Sequence, residues 1–269
     1  MEKHTVNILP NAPKFRALLG PSFILLGLGL GSGEFILWPY LTSNWGMGII
    51  WGAILGVTFQ FFINMEIERY TLARGESVFV GFARYYRFLP FWFIASTFFA
   101  WIWPGIIAVS ARLLGEVVGF SNYNVLGIGL LILIGVILTA GKSLYKTVER
   151  FSILLISISV PLIFILALYL SSRSDLLDLF NGIINVGNIP EGLPFASFLA
   201  AFAFAGAGGN LNLAQSFYVK EKEYGMGKYG GKITSILTGS VKDLKLTGSK
   251  FKITNESLIN FKSWWKVTN

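Results

Sequence analysis

Apolar residues in this chain fall in unbroken blocks and not at strand or amphipathic-helix spacing. The blocks are about 20 residues long, the length of helix that crosses ~30 Å of hydrocarbon. They predict six spans, at about 18–42, 46–65, 88–111, 122–140, 151–171 and 193–219, after a polar arm at 1–17 and before a lysine-rich segment at 220–269. The predicted fold class is therefore an all-α polytopic membrane protein. Two of the blocks are interrupted. The first contains GLGLGSGE at 27–34, with glycine at 27, 29, 31 and 33 followed by Glu34, the only carboxylate in the run. Each glycine costs roughly 1 kcal/mol against alanine inside a helix, and a carboxylate at mid-bilayer costs several times that. The helix is expected to break here, with Gly31, Ser32, Gly33 and Glu34 lining a binding site.

The sixth block, LPFASFLAAFAFAGAGGNLNLAQSFYVK at 193–220, runs into Gly206, Ala207, Gly208, Gly209 and Asn210 before its helical pattern resumes at Leu211. Paired broken helices five apart are the sequence mark of an inverted-repeat transporter whose substrate binds at the breaks. Half-helix C-termini there offer carbonyls to a cation and half-helix N-termini offer amides to an anion. Glu34 opens the second half of span one, where the helix dipole favours negative charge, and an ionised Glu34 among carbonyls describes a cation site better than an anion site. The competing reading makes these glycines packing surface, since Gly27 with Gly31, and Gly29 with Gly33, are four apart and allow helices to approach closely.

Composition agrees with the block pattern: 54% of the 269 residues are hydrophobic, 13% are charged, and the mean hydropathy is +0.62. There is no cysteine, which excludes disulfides and thiolate metal centres, and the single histidine, His4, lies in the polar arm. The first block is too long and lacks a small-residue cleavage site for a signal peptide, and is expected to be retained. The net charge of +8 does not point to nucleic acid, because its distribution follows topology. Twenty of the 22 Lys and Arg lie in segments that six spans place on one side: Lys3, Lys14 and Arg16; Arg69, Arg74, Arg84 and Arg87; Lys142, Lys146 and Arg150; and ten lysines after 219. Arg112 and Arg173 lie on the other. The positive-inside rule then puts both termini in the cytoplasm of a plasma-membrane protein, and the lysine-rich tail is placed to touch anionic lipid.

The remaining polar residues of the spans have local readings. Gln60 and Asn64 are one turn apart and suit interhelical hydrogen bonds; Glu66, Glu68 and Arg69 suit a solvated or mutually paired helix end; Arg112 and Glu116 suit an ion pair one turn apart; Pro104 and Pro161 suit kinks. No nucleophile–base pair, metal-ligand cluster or phosphate loop is present, so no enzyme activity is expected.

Three stretches, GPSFILLGLGLGSGEF at 20–35, INMEIERYTLARGES at 63–77 and AGAGGNLNLAQSFYVKEKEYGMGKYGGKI at 205–233, together resemble the natural resistance-associated macrophage protein (Nramp) family, and most of all its divergent prokaryotic branch. The resemblance implies the first five-helix repeat plus helix 6 of a leucine-transporter-type fold of five plus five inverted helices, with helices 1 and 6 broken at mid-membrane. It also implies proton-coupled transport of a divalent metal, which is substrate and not a resident cofactor, with ligands from both breaks. In register, the family's Asp-Pro-Gly-Asn falls on Gly31, Ser32, Gly33 and Glu34, and its Met-Pro-His-Asn on Ala207, Gly208, Gly209 and Asn210. The aspartate and the thioether are thus missing, which removes the soft ligand that favours transition metals and leaves Glu34 and Asn210 as the implied metal ligands. The sequence stops after KSWWKVTN, which reads as the Trp and Lys belt before a further span. A truncated or split member is expected, with a second chain as the partner that would supply helices 7 to 10. The expected function is secondary transport of a manganese-, iron- or magnesium-like cation. The alternatives are an amino-acid or other organic-solute transporter of the same fold, and a membrane partner subunit or inactive remnant.

Overall fold

The computed structural model describes residues 4–14, 19–31, 33–140, 144–231 and 247–268, of which 75% are helical. Ser32, Lys3, Arg16, Lys142 and the lysines at 232, 242 and 245 lie outside the described residues. In chain order the elements are β1 (Thr5–Asn7), α1 (Leu19–Gly29), a π-helical turn (Gly33–Leu37) that continues into α2 (Trp38–Trp45), a 3-10 turn (Met47–Ile49), α3 (Trp51–Arg74), α4 (Val78–Tyr85), α5 (Leu89–Trp101), α6 (Gly105–Val118), α7 (Tyr123–Ala140), α8 (Leu144–Leu170), α9 (Arg173–Ile184), α10 (Phe195–Ala203), α11 (Asn210–Glu221), a second 3-10 turn (Gly225–Tyr229), β2 (Ser249–Phe251) and α12 (Asn255–Thr268).

Among the described residues three helical stretches are long and apolar enough to cross a membrane, Met47–Arg74, Leu89–Val118 and Leu144–Leu170, and Ser22–Gly29 with Gly33–Trp45 makes a fourth if the bent pair is one span. The bend between those two halves is 41°. The apolar part of α7, Tyr123–Thr139, is shorter, and α10 and α11 are separate short helices. Several expected boundaries move for local reasons. The second expected span runs on to Arg74, because MEIERYTLAR stays helical, with Glu66 and Arg69 paired, until Gly75 closes it in the left-handed region at φ 64°. The third is interrupted at Ile102–Pro104, where proline removes a backbone donor. Pro161, by contrast, sits inside α8 without ending it. The acidic connection before span six contains α9, started by a capping box in which Ser172 and Asp175 bond each other's backbone. Those Ser172 hydrogen bonds hold the exposed Asp175 carboxyl below its ordinary pKa.

One stripe of α3 organises the packing. Gly56, Gln60, Asn64, Glu68 and Leu72 repeat at four residues, each about 40° further round the helix than the last. At the top, Phe202 O and Ala205 Cβ approach so closely that a Cβ on Gly56 would lie 2.6 and 2.9 Å from them. One turn down, Gln60 Nε2 donates to Ala203 O at 2.9 Å. At the bottom, Leu72 joins Val219 and Met226 in a buried cluster. The stripe therefore runs along α10, the 204–209 break and α11, and it changes from glycine to amide to acid to leucine on the way.

The far end of α3 carries a platform built from both ends of the chain. β1 and β2 pair in parallel, Thr5 opposite Ser249 and Asn7 opposite Phe251. Leu9, Leu72, Val219, Tyr224, Met226 and Trp264 form one buried cluster. Trp264 Nε1 and Asn260 Nδ2 both donate to Pro10 O, at 2.6 and 3.0 Å. Burial, with the carboxylates of Glu149 and Glu68 nearby, raises the Tyr224 phenol above its ordinary pKa. The reading of KSWWKVTN as an interfacial belt fails at Trp264, whose ring is 3% exposed inside this cluster. A helix-period reading of α12 would place Phe261, Trp264 and Val267 on one face, and the pattern of aromatic residues beside lysines hid that periodicity.

A single carboxylate ties the platform together. Glu76 is fully buried. It accepts from Arg84 Nη1 and Nη2, both at 2.6 Å, from Tyr70 Oη at 2.8 Å and from Gly248 N at 2.9 Å. His4 Nε2 lies 3.2 Å from Glu76 Oε1. Five atoms from four residues thus converge on one charge. Glu76→Gln keeps the shape but sets an amide donor against Arg84 or Gly248, and removing one partner of a buried pair costs about 3 kcal/mol or more. Equilibrium unfolding in detergent micelles should show a loss of that size; a loss below ~1 kcal/mol, the size of an ordinary single hydrogen bond, would remove Glu76 from this role.

Candidate functional site: the junction of the two breaks

At the first break α1 ends at Gly29, Leu30 N bonds Leu26 O at 3.0 Å, and Gly31 N turns back to Gly29 O at 2.8 Å before the π-helical turn begins. At the second, α10 ends at Ala203 and the chain crosses 204–209 irregularly before α11. Gly209 holds φ 62° and ψ −129°, a conformation closed to residues with a side chain. Glycine does a different job at 33. A Cβ there would lie 2.7 Å from Phe204 O, so the two breaks meet backbone against backbone. Gly29 likewise faces Gly206 and Ala207 N. The interruptions that sequence analysis paired by their spacing therefore form one junction.

Glu34 is the link across it. Its Oε1 accepts from Gly206 N at 2.6 Å and its Oε2 from Gly31 N at 3.1 Å. One half-buried carboxylate thus takes an amide from each break, sharing the Gly31 N–H with Gly29 O. A carboxylate has about four lone-pair positions. Two amides occupy half of them, which leaves acceptor capacity on both oxygens for a cation.

The carbonyl side of the junction is mostly satisfied. Ala200 O accepts from Phe204 N at 3.0 Å, Phe202 O from Ala205 N at 3.3 Å, and Ala203 O from Gln60. The expected pair of open helix C-termini is thus reduced. An amide oxygen stands in its place: Gln60 Oε1 is buried without a hydrogen-bond donor among the described residues, and a Cβ on Gly206 would lie 3.3 Å from it. Sequence analysis gave Gln60 only an interhelical hydrogen bond, which its other atom makes.

Asn210 is placed differently from Glu34. Its Nδ2 donates to Ser96 Oγ at 2.9 Å and to Thr97 Oγ1 at 2.8 Å, which ties the start of α11 to α5. The two implied metal ligands therefore have separate partners. Ser96 and Thr97 are additional polar groups beside the break; their only signal in the sequence is two adjacent hydroxyls in the otherwise apolar FWFIASTFFAW. Of the other site residues, Gly31 and Gly33 frame Glu34, Gly206 donates to it, Ala207 and Gly208 are buried, and Gly209 precedes α11. The pair expected between Arg112 and Glu116 does not form. Glu116 accepts instead from Tyr123 Oη at 2.9 Å, across the α6–α7 turn.

Comparison with protein-family models, with curated proteins and with solved structures finds no match for this chain. The site is therefore read from its own donor set. Among the described residues no three His, Cys, Asp or Glu side chains come together. One carboxylate with amide and backbone oxygens is a donor set for hard, oxygen-seeking cations such as magnesium or calcium, and offers no sulfur or imidazole to softer ions.

The junction predicts a contrast between two glycines. Gly33→Ala forces the breaks apart and should destabilise the protein by ~1–3 kcal/mol, as overpacking does. Gly129→Ala, in α7 with nothing within 4 Å of the added methyl, should be neutral or stabilising by up to ~1 kcal/mol. Thermal unfolding of the two variants in detergent measures the difference, and equal effects would mean that the breaks tolerate separation.

Proposed function

We propose that this chain carries the substrate junction of a secondary transporter for a divalent cation, built as the first part of an Nramp-like inverted-repeat fold. The single observation that carries the reading is Glu34, a lone carboxylate in an apolar block, bonded at once to the amides of both chain breaks. In this reading six spans cross the plasma membrane, counting α7 and the α10–α11 pair as spans, with both termini and the platform on the cytoplasmic side. The coupling ion is a proton. A cation entering the junction neutralises Glu34 and weakens its hold on the Gly31 and Gly206 amides, so that occupancy changes the bond that joins the two halves of the site. Such a coupling is what alternating access around a fixed central site requires.

The donor set refines the substrate. A hard divalent ion, magnesium-like before manganese- or iron-like, fits a carboxylate with amide oxygens and no thioether. The organic-solute alternative needs the half-helix amides to receive a substrate carboxylate. Two of those amides already hold Glu34, and this favours the cation.

Glu34→Gln should abolish saturable magnesium uptake into vesicles reconstituted with the chain, at unchanged expression, while Glu34→Asp, which keeps the charge, should retain part of it. Uptake unaffected by Glu34→Gln would overturn the site assignment. Competition separates the substrate classes: unlabelled divalent ions should block the uptake and amino acids should not.

A further inference from the structure

Below the junction, the α3 stripe and α11 enclose a set of polar atoms that the proposed site does not use. Gln60, Asn212 and Gln215 are 8%, 5% and 8% exposed. The side-chain oxygens of all three, and that of Asn64, are buried with no hydrogen-bond donor among the described residues. Buried amide oxygens rarely go unsatisfied, because each costs on the order of 1–3 kcal/mol, and four in one interface call for a common partner.

Their placement is ordered. Gln60 contacts the break at Ala203 and Gly206, and Leu72 contacts Val219 and Gly225. Asn64 and Glu68 follow Gln60 at four-residue steps along α3, and Asn212, Gln215 and Ser216 are buried on α11 before Val219. Both helices run away from the breaks, so the oxygens follow one another down the seam. From Gln60 to Glu68 the stripe covers about 12 Å at 1.5 Å per residue.

Glu68 ends the file. It is 9% exposed, and among the described residues no Lys, Arg or His pairs with it. The Tyr224 phenol senses both Glu68 and Glu149, and Glu149 pairs with Lys222 between α8 and the end of α11. A buried carboxyl without a basic partner, approached by a line of acceptor oxygens, takes up either a proton or a cation.

We propose that the α3–α11 seam is a second cation station on the same route, in which a hard cation leaving Glu34 passes along the amide oxygens of Gln60, Asn64, Asn212 and Gln215 to the carboxylate of Glu68. This rests on the cation reading of the Glu34 junction. Asn and Gln oxygens with one terminal carboxylate bind a magnesium-like ion through exchangeable water and amide ligands, weakly enough to release it. The file ends beside the platform, toward the side that the proposed topology makes cytoplasmic.

The chain has no cysteine, so single cysteines report on the seam without a background. Asn64→Cys and Gln215→Cys, each placed in the full chain in phosphatidylethanolamine–phosphatidylglycerol vesicles, should react with trimethylammonioethyl methanethiosulfonate about tenfold faster than with the anionic sulfonatoethyl reagent, the preference that one nearby charge confers. Magnesium should slow the reaction, and adding Glu68→Gln should abolish the preference. Ile63→Cys, on the exposed face of the same helix, should stay inert to both reagents. Two positions on different helices keep the result readable if one variant does not fold. A seam as inert as position 63, or a preference that survives Glu68→Gln, overturns the proposal. If that happens while uptake still depends on Glu34, the seam alone is wrong. If uptake does not depend on Glu34, the cation reading and the seam fall together.

Discussion

Two hydrogen bonds hold this structure's unusual region in place, from the amides of Gly31 and Gly206 to the two oxygens of Glu34. A helix broken inside an apolar layer exposes backbone groups that lipid cannot satisfy. Here two broken segments solve the problem jointly, since the carboxylate that satisfies one also satisfies the other. Charge-assisted bonds to backbone amides are roughly twice as strong as neutral ones. The glycines follow from that arrangement, because the carboxylate reaches both amides only if the backbones meet, and they meet only where no side chain intervenes, as at Gly33 against Phe204 O.

The rest of the fold brings those two segments to one place. α3 supplies the common wall, with Gly56 close against Phe202 and Gln60 bonded to the last carbonyl of α10. Farther along, Leu72 is locked into the cluster with Val219, Met226 and Trp264, and the platform is closed by Glu76 and its convergent donors. The two carboxylates stand at opposite ends of the same helical unit and differ in kind. Glu76 is saturated by an arginine, a tyrosine and an amide, which makes it a fastening. Among the described residues Glu34 has two amides and keeps lone pairs open, which is what the proposed cation site needs.

What could be read from the sequence divides along the range of the interactions. Apolar blocks and glycine clusters are local signals, so most helices, both breaks and the pairing of GLGSGE with GAGGN were visible as residues. The i,i+3 pairing of Glu66 with Arg69 was local too. The platform was not visible, because β1 and β2 are separated by nearly the whole chain and each is only three residues long. The same limit hid the Ser96 and Thr97 contacts of Asn210, and it misassigned Glu116, whose partner Tyr123 competes with Arg112 from the next helix. Gln60 was seen, but only one of its two polar atoms was accounted for.

That second atom leads from structure back to chemistry. An interhelical hydrogen bond explains why Gln60 donates to Ala203, yet leaves its oxygen buried, aimed at Gly206 and without a donor. Leucine at this position would pack against the break without that cost, although it would leave the Ala203 carbonyl unsatisfied. A hydroxyl would cap that carbonyl with one donor and bring a smaller acceptor. The glutamine is the choice that caps the helix and also presents an oxygen to the junction. The same excess of acceptors recurs at Asn64, Asn212 and Gln215. One such atom is a packing residue; in the proposed reading, four of them between Glu34 and Glu68 are the electrostatic complement of a cation and extend the site from a point to a path.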